Sequence, residues 1–182
     1  MQTRDLLNLL RAKYAPEAFA FFTEVANGTG GHCSRHADAM VMGLWPSRGL
    51  HLQGFELKAS RADWLRELQN PAKADAIANY CDYWWVVVAK AAFVADGELP
   101  KTWGMMAADS GKLKIIVDAP KLEPKPVSRA FLAAICRKAS EQSVDRDAIE
   151  KAARDGRAQG VAEAKAMTAS AKREHERLAE RV

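Results

Sequence analysis

The stretch GFELKASRADWL, residues 54–65, decides the fold, because it joins an apolar strand to a helix start. Side chains two residues apart on a strand share a face, so Glu56 and Lys58 point together. Leu57, between them, points to the opposite face and into the core. The stretch therefore predicts a strand that presents a carboxylate and an ammonium group side by side.

A helix is predicted to follow this strand directly. Ser60 and Asp63 have the spacing of a capping box, in which each side chain satisfies a free backbone N–H at the helix start. Trp64, Leu65 and Leu68 then form the buried face of the helix. The charged end of the strand is therefore expected beside the first turn of a helix.

A β-hairpin is predicted around the same strand. Residues 40–44 are apolar, and residues 45–49 contain proline and glycine in an arrangement typical of a hairpin turn. The chain then returns along residues 50–57, with a bulge expected near Gly54.

The remaining segments extend this pattern into an α/β domain. The pattern of apolar residues predicts a first helix at residues 5–13 and a later helix at residues 128–140. It predicts a bulky central strand at residues 84–88 and a late hairpin formed by residues 103–107 and 113–117. Residues 19–25 are also apolar, but their pattern does not decide between helix and strand. A helical segment is also expected to start at Asn70 and Pro71 and to run toward Tyr80. We therefore predict a mixed sheet flanked by helices.

The hairpin brings charged side chains together. Asp38 opens its first strand, so antiparallel pairing can place it beside Glu56. Two neighbouring carboxylates repel each other unless a divalent cation lies between them. Lys58 adds an ammonium group that can hold a water molecule, and Glu24, just before a glycine-rich turn, adds a third carboxylate. This set is sufficient for metal-assisted hydrolysis of a phosphodiester. The alternative is a set of solvated surface charges that contribute little energy.

Together these segments resemble the PD-(D/E)XK nuclease superfamily, and more narrowly the MmcB-like DNA repair family and related phage-encoded proteins. The resemblance covers about residues 20–120. It rests on short motifs along the chain, namely EV at 24–25, RHAD at 35–38, GFELKASRADWL at 54–65, Lys73, YCD at 80–82 and WWVV at 84–87. It implies a restriction-endonuclease-like αβββαβ core. Ala37 stands where the name of the superfamily has proline.

The resemblance also implies a role for each charged residue of the hairpin. Asp38 and Glu56 would ligate Mg²⁺ or Mn²⁺, with the backbone carbonyl of Leu57 as a further ligand. Lys58 would orient or activate the attacking water molecule, and Glu24 would be an outer or water-mediated ligand. These residues are the predicted catalytic and metal-binding set.

The predicted substrate-binding residues surround that centre. By the same resemblance, Ser60 and Arg61 would lie near the scissile phosphate. Lys73 and Tyr80 are seven residues apart, which is two helical turns, so they would face the site together. Arg35 would contact phosphate or pair with a carboxylate.

We therefore expect a Mg²⁺- or Mn²⁺-dependent deoxyribonuclease whose partner is DNA and whose role is DNA repair, recombination or phage DNA processing. The alternative function is that of a non-catalytic module, in which the nuclease fold binds DNA or another protein without cutting.

Composition and charge bound these functions. The 182 residues are 48% apolar and 27% charged, and a net charge of +4 permits a polyanionic partner without requiring one. No apolar run approaches the roughly 20 residues of a membrane span, and the first residues lack a signal-peptide layout. Three cysteines without close pairing argue against a disulfide framework. We expect a reduced, cytoplasmic protein of a bacterial or phage-infected cell.

Two other sites are disfavoured by the sequence. His32, Cys33 and His36 offer three zinc ligands, but no second cluster completes a site. Residues 28–31 are rich in glycine but lack the Lys-Ser/Thr pair of a phosphate-binding loop.

Two domains are expected: a nuclease-like domain at residues 1–142, and a charged, alanine-rich helical extension at residues 143–182. The extension has no sustained heptad pattern, so a coiled coil is not supported. It is expected to be a long solvated helix; the alternatives are a helix that docks onto a partner or a second copy of the chain, and a disordered tail.

Overall fold

The computed structural model describes residues 1–30, 33 and 35–179. Four α-helices and six β-strands lie within these residues, and short 3₁₀ turns connect some of them. The elements are α1 (Thr3–Lys13), β1 (Phe19–Ala26), β2 (His36–Gly43), β3 (Leu52–Lys58), α2 (Arg61–Leu68), α3 (Asp75–Ala78), β4 (Tyr83–Val88), β5 (Trp103–Asp109), β6 (Lys112–Val117) and α4 (Arg129–Ala179).

The six strands form one mixed sheet in the order β1-β2-β3-β4-β5-β6. β1, β2 and β3 pair antiparallel, β3, β4 and β5 pair parallel, and β6 returns antiparallel to β5. Apart from the four-residue α3 between α2 and β4, the series α1-β1-β2-β3-α2-β4 is the predicted αβββαβ order. The α/β class, a mixed sheet flanked by helices and followed by a C-terminal helix, is therefore confirmed.

The early apolar segment that periodicity left undecided is an edge strand. β1 pairs with β2 along its length, from Phe19 opposite Gly43 to Ala26 opposite His36. The partner is the next strand along the chain, and the apolar pattern within residues 19–25 does not show that the two segments pair.

Two apolar clusters cover the two faces of the sheet. Trp84 belongs to the cluster beneath α2 and α3, and Trp85 belongs to the cluster beneath α1. Leu57 lies in the second cluster, as the alternation of the strand predicts. Both tryptophans are buried, so the central strand β4 is packed from both sides.

The bulge expected near Gly54 is absent from the described β2–β3 pairing. Gly54 pairs in regular register with Met40 on one side and Trp84 on the other. A side chain at this position would overlap ring carbons of Trp84. Glycine is therefore required here by the close approach of an indole ring, and not by a bend in the strand.

The helix start predicted after β3 is confirmed. Ser60 is the N-cap of α2, and its hydroxyl accepts a hydrogen bond from the backbone N–H of Asp63 at 3.1 Å. The same hydroxyl donates to the Asp63 carboxylate at 2.7 Å. The carboxylate thus binds the capping hydroxyl, whereas a full capping box would have it bind the backbone of Ser60.

The segment after α2 is less regular than predicted. Pro71 does open a 3₁₀ turn, but Asn70 makes no side-chain capping bond. The turn is followed by α3, a helix of four residues, so no continuous helix runs from Pro71 to Tyr80.

The last described element is longer than the predicted helix of residues 128–140. The Ser128 hydroxyl accepts from the backbone N–H of Phe131 at 3.1 Å and caps α4, which continues to Ala179. The chain divides into two compact units, Met1–Ala139 and Ser140–Val182. The side chains of residues 151–165 are exposed. Residues 180–182 of the predicted extension lie outside the described residues.

No helix built from the described residues is both long enough and apolar enough to cross a membrane.

Candidate active site

Pairing of β2 with β3 brings Asp38 to Glu56. Ala39 pairs with Phe55 in an antiparallel ladder, so Asp38 is level with Glu56. The Asp38 carboxylate accepts a hydrogen bond from the backbone N–H of Leu57 at 2.7 Å. The hairpin thereby brings together the three residues that were predicted to bind the metal directly, Asp38, Glu56 and Leu57.

Glu56 is an ionisable group buried in the sheet, and its residue surface is only 9% exposed. Burial raises the pKa of Glu56 to about 7, Lys58 opposes that rise, and the negative charges of Asp38 and Glu67 add to it. Burial therefore disfavours the charged form of this carboxylate, although Lys58 stabilises that form.

Lys58 lies between two carboxylates. Its Nζ donates to Glu56 Oε2 at 3.0 Å and to Glu67 Oε2 at 2.7 Å. Burial alone would lower the pKa of Lys58, but its ion pairs with Glu56 and Glu67 raise it above the usual value. The ammonium group stays charged and is held by β3 on one side and α2 on the other.

Glu67 is a site residue that the sequence analysis missed. It follows Trp64 by three residues on α2, and Trp64 is fully buried. Positions three apart on a helix lie on the same face. An acidic residue on the buried face of the helix after β3 is the signal that could have identified it.

A small pocket of about 140 Å³ adjoins these groups. Two carboxylates and three basic side chains share its lining with apolar residues; the lining is Arg35, His36, Glu56, Glu67, Lys73, Ala74, Ile77 and Trp84. Arg35 and Lys73 are exposed, so positive charge lies at the pocket beside the carboxylates. Trp84 Nε1 is buried and has no hydrogen-bond partner within the described part of the chain.

Glu24 lies on β1, level with Asp38. Thr23 pairs with Ala39 and Val25 pairs with Ala37, so Glu24 falls between these two pairs. Its backbone has a φ of 51°, in the left-handed region, and its side chain is exposed. The β1–β2 ladder is therefore interrupted at Glu24, at a position level with Asp38.

Arg61 is not brought into the pocket. Its guanidinium donates to both carboxylate oxygens of Glu98 and to the backbone carbonyl of Phe93. The charge expected near a scissile phosphate is therefore already paired. Glu98, a second residue that the sequence analysis missed, lies 37 positions away in the loop after β4. Ser60, the neighbour of Arg61, is occupied as the cap of α2.

Tyr80 is also placed apart from this pocket. Its ring stacks on Phe131 with a centroid distance of 4.5 Å. It lines a separate, mainly apolar pocket of about 580 Å³ between the sheet and the start of α4. Of the two residues predicted to face the site together, Lys73 lines it and Tyr80 does not.

A divalent cation such as Mg²⁺ needs several oxygen donors close together. Among the residues that the structure describes, no group of three or more His, Cys, Asp and Glu side chains is arranged to hold a metal ion. Asp38 and Glu56 nevertheless form a close pair of hard oxygen donors, and the charge of Asp38 helps to raise the pKa of Glu56. A divalent cation would remove this repulsion, so the residues present fit one that completes its shell with water.

Two of the three side chains considered as zinc ligands, Cys33 and His36, lie within the described residues. Cys33 Sγ lies 3.6 Å from His36 Nε2. His32, and Gly31 of the glycine-rich turn, lie outside the described residues.

No protein-family model and no curated protein matches this chain. Among solved structures, a protein of unknown function from Silicibacter pomeroyi has the same fold, with a TM-score of 0.55 and 24% sequence identity. The match covers 81% of this chain and 87% of that one. This likeness supports the fold and carries no information about activity.

Proposed function

We propose that the protein is a metal-dependent nuclease that hydrolyses phosphodiester bonds in DNA. The observation that supports this most strongly is the buried Glu56 carboxylate, bonded to Lys58 at 3.0 Å and level with Asp38 on the neighbouring strand. The pocket beside them also contains Arg35 and Lys73, two cations suited to phosphate. The proposed role in DNA repair, recombination or phage DNA processing follows from the resemblance to PD-(D/E)XK nucleases. The proposed location, the cytoplasm of a bacterial or phage-infected cell, follows for its reducing compartment from the three cysteines without close pairing.

Mg²⁺ or Mn²⁺ is the proposed cofactor. The Asp38 and Glu56 carboxylates and the Leu57 carbonyl would hold it, with Glu24 acting through water. When bound, the cation lowers the pKa of a coordinated water molecule and offsets charge on the phosphate oxygens.

Lys58 contributes an ammonium group that is already positioned. Its Nζ is bonded to Glu56 and Glu67, two carboxylates that line the pocket, so it can donate its remaining N–H to the attacking water molecule. Water attacks phosphorus and gives up a proton, a new P–O bond forms, the bond to the leaving oxygen breaks, and the leaving oxygen takes up a proton, so that one proton is lost and one is gained. The ammonium charge stabilises the added negative charge, and its burial strengthens this effect.

Arg35 and Lys73 would bind the DNA backbone. Both are exposed at the pocket, where they can approach phosphates on either side of the reacting bond. Such contacts position the strand without reading its sequence.

The test is cleavage of single-stranded, duplex and branched DNA with Mg²⁺ or Mn²⁺. We expect Asp38→Asn and Lys58→Ala each to reduce the rate by about 10²–10³-fold. Lys112→Ala on β6, remote from the pocket, serves as the matched lysine control and should cut normally. Mg²⁺ should also raise the melting temperature of the wild type more than that of Asp38→Asn, because binding to the folded state stabilises it.

The outcome that would overturn the proposal is wild-type protein that binds DNA without cutting it under any of these conditions, with binding unaffected by either substitution. The non-catalytic DNA-binding or protein-interaction module would then replace the nuclease. A partner or second copy bound through α4 would be detected separately, by the mass of the full chain in solution.

A further inference from the structure

We propose that Glu67 is a positioning residue, which fixes the ammonium group of Lys58 in the direction of the reacting phosphate. The proposal rests on the proposed function, because Lys58 is the amine that the nuclease would use and Glu67 is the second carboxylate, after Glu56, that binds it. It concerns the arrangement of the site and not its cation, since the Glu67 carboxylate contacts Lys58 in the structure.

The contact geometry supports this role. Lys58 Nζ lies 2.7 Å from Glu67 Oε2, closer than the 3.0 Å that separates it from Glu56 Oε2. The Lys58 side chain is 12% exposed and that of Glu67 is 18% exposed, so water screens the pair weakly. Charge-assisted bonds at this distance are among the stronger hydrogen bonds in proteins.

One carboxylate alone would leave Lys58 with freedom to move. A lysine side chain has many accessible rotamers, so a single acceptor on its own strand restrains it incompletely. Glu56 and Glu67 belong to different elements, β3 and α2, and together they restrain Nζ from two directions. An ammonium group has three N–H donors, so one remains for water or a phosphate oxygen after both carboxylates are bound.

Glu67 is itself held by its helix. Ser60 caps the start of α2, and the fully buried Trp64 donates its Nε1–H to Glu98 at 3.1 Å. These contacts fix α2 against the sheet, and the helix carries Glu67 to the pocket. The cap and the packing of α2 therefore hold Glu67 in place, and Glu67 in turn holds Lys58.

The experiment compares Glu67→Ala, Glu67→Gln and the control Arg66→Gln in the full chain. Arg66 is the neighbouring residue of α2, and its side chain is 73% exposed. We expect Glu67→Ala to lower kcat by about 10- to 100-fold, with KM for DNA nearly unchanged, because a small misplacement of Lys58 affects the chemical step. Glu67→Gln keeps a neutral acceptor and should recover part of kcat, while Arg66→Gln should behave like the wild type.

A second measurement follows Lys58 directly and needs no activity. Acetic anhydride labelling, read by mass spectrometry with Lys112 as internal reference, should be several-fold faster at Lys58 in Glu67→Ala than in the wild type. The rise in melting temperature caused by Mg²⁺ alone should be retained in both Glu67 variants. Loss of that rise, or unchanged labelling and kcat, would overturn the positioning role.

The two proposals can fail separately. Wild-type protein that cuts no DNA, combined with faster Lys58 labelling in Glu67→Ala, rejects the nuclease and supports the restraint of Lys58 by Glu67. Wild-type protein that cuts DNA, combined with Glu67→Ala that cuts equally well, supports the nuclease and rejects the role of Glu67.

Discussion

The carboxylate of Glu98 accepts bonds from the guanidinium of Arg61 through both of its oxygens. Glu98 also accepts from the backbone N–H of Ala95 at 2.9 Å and from the indole N–H of Trp64 at 3.1 Å. The loop after β4 is thereby bound to the first turn of α2. These bonds, above all the one from Arg61, lower the pKa of Glu98 to about 2.

This relationship predicts a pH dependence of stability. The pKa of Glu98 is about 2 in the folded protein and 4.5 at its ordinary value. The contribution of Glu98 to stability is therefore complete above pH 4.5 and is lost as the pH falls through 2. We expect the urea midpoint of the wild type to decrease more steeply over this interval than that of Glu98→Gln, with Arg61 present in both.

The control is Glu17→Gln, at an exposed position before β1. Its urea midpoint should follow the wild type across the same pH interval. A Glu98→Gln variant whose midpoint falls in parallel with the wild type down to pH 2 would show that this carboxylate does not hold the loop to α2.

The pairing of Gly54 on β3 with Trp84 on β4 predicts that one added methyl group lowers the stability of the fold. A Cβ at Gly54 would overlap ring carbons of Trp84, whose side chain is buried and cannot move into solvent. Overpacking of this kind costs about 1–3 kcal/mol. We expect Gly54→Ala to lower the free energy of unfolding by this amount, measured by urea unfolding with tryptophan fluorescence.

Gly28→Ala is the matched control for that substitution. A Cβ at Gly28 would meet its nearest neighbour, the side chain of Ala130, at 3.9 Å, which is ordinary van der Waals contact. Its stability should stay near that of the wild type. Equal loss in both variants would mean that the indole of Trp84 does not lie against Gly54.

The parts of the fold that the sequence predicted are those set by local patterns. Alternation along residues 54–58 predicted the shared face of Glu56 and Lys58, and Ser60 predicted the start of α2. These features depend on neighbours within a few residues, which the sequence shows directly. The α/β class followed from their order along the chain.

The site residues that the sequence analysis missed or misplaced depend on distant partners. Arg61 was expected at the phosphate, but its partner Glu98 lies 37 positions away. Glu67 pairs with Lys58 across the boundary between a helix and a strand. Tertiary packing decides that Glu98 meets Arg61, and no local spacing encodes that pair, whereas the position of Glu67 three residues after the buried Trp64 was a local signal.

The prediction that Tyr80 faces the same pocket as Lys73 was wrong for a different reason. Spacing by two helical turns requires a continuous α-helix between the two positions. The chain instead forms a 3₁₀ turn at Pro71–Lys73, with about three residues per turn, and then the four-residue α3. The phase changes between Lys73 and Tyr80, so the two side chains reach different pockets.

Because the two side chains line different pockets, we expect substitutions of Lys73 and Tyr80 to differ in their effect on DNA binding. Lys73 lines the pocket beside Glu56, so Lys73→Gln should weaken binding to all DNA sequences and reduce the salt slope of log K by about 1. Tyr80→Phe keeps the stacked ring against Phe131 and should leave DNA affinity unchanged. Both are measured by fluorescence anisotropy over a series of salt concentrations.

A salt slope for Lys73→Gln equal to that of the wild type would mean that Lys73 makes no phosphate contact. Weakened binding by Tyr80→Phe would restore Tyr80 to the DNA-binding surface and place that surface at the apolar pocket near α4.

The start of α4 predicts a contrast between two adjacent residues. Phe131 is fully buried and stacks on Tyr80, whereas Leu132 is 52% exposed on the same turn. Phe131→Ala should lower the free energy of unfolding by about 3–5 kcal/mol, because it removes a ring from a packed core. Leu132→Ala removes less contact and should cost under about 1 kcal/mol.

Urea unfolding of both variants decides whether the first turns of α4 are part of the sheet domain. If they are, Phe131→Ala should shift the midpoint of one cooperative transition and leave its slope unchanged, because the same surface is exposed on unfolding. A Phe131→Ala variant no less stable than Leu132→Ala would mean that the core closes without α4. In that case the helix would be dispensable to the fold from Arg129 onward, and its boundary with the sheet domain would lie before Ser128 and not after residue 139.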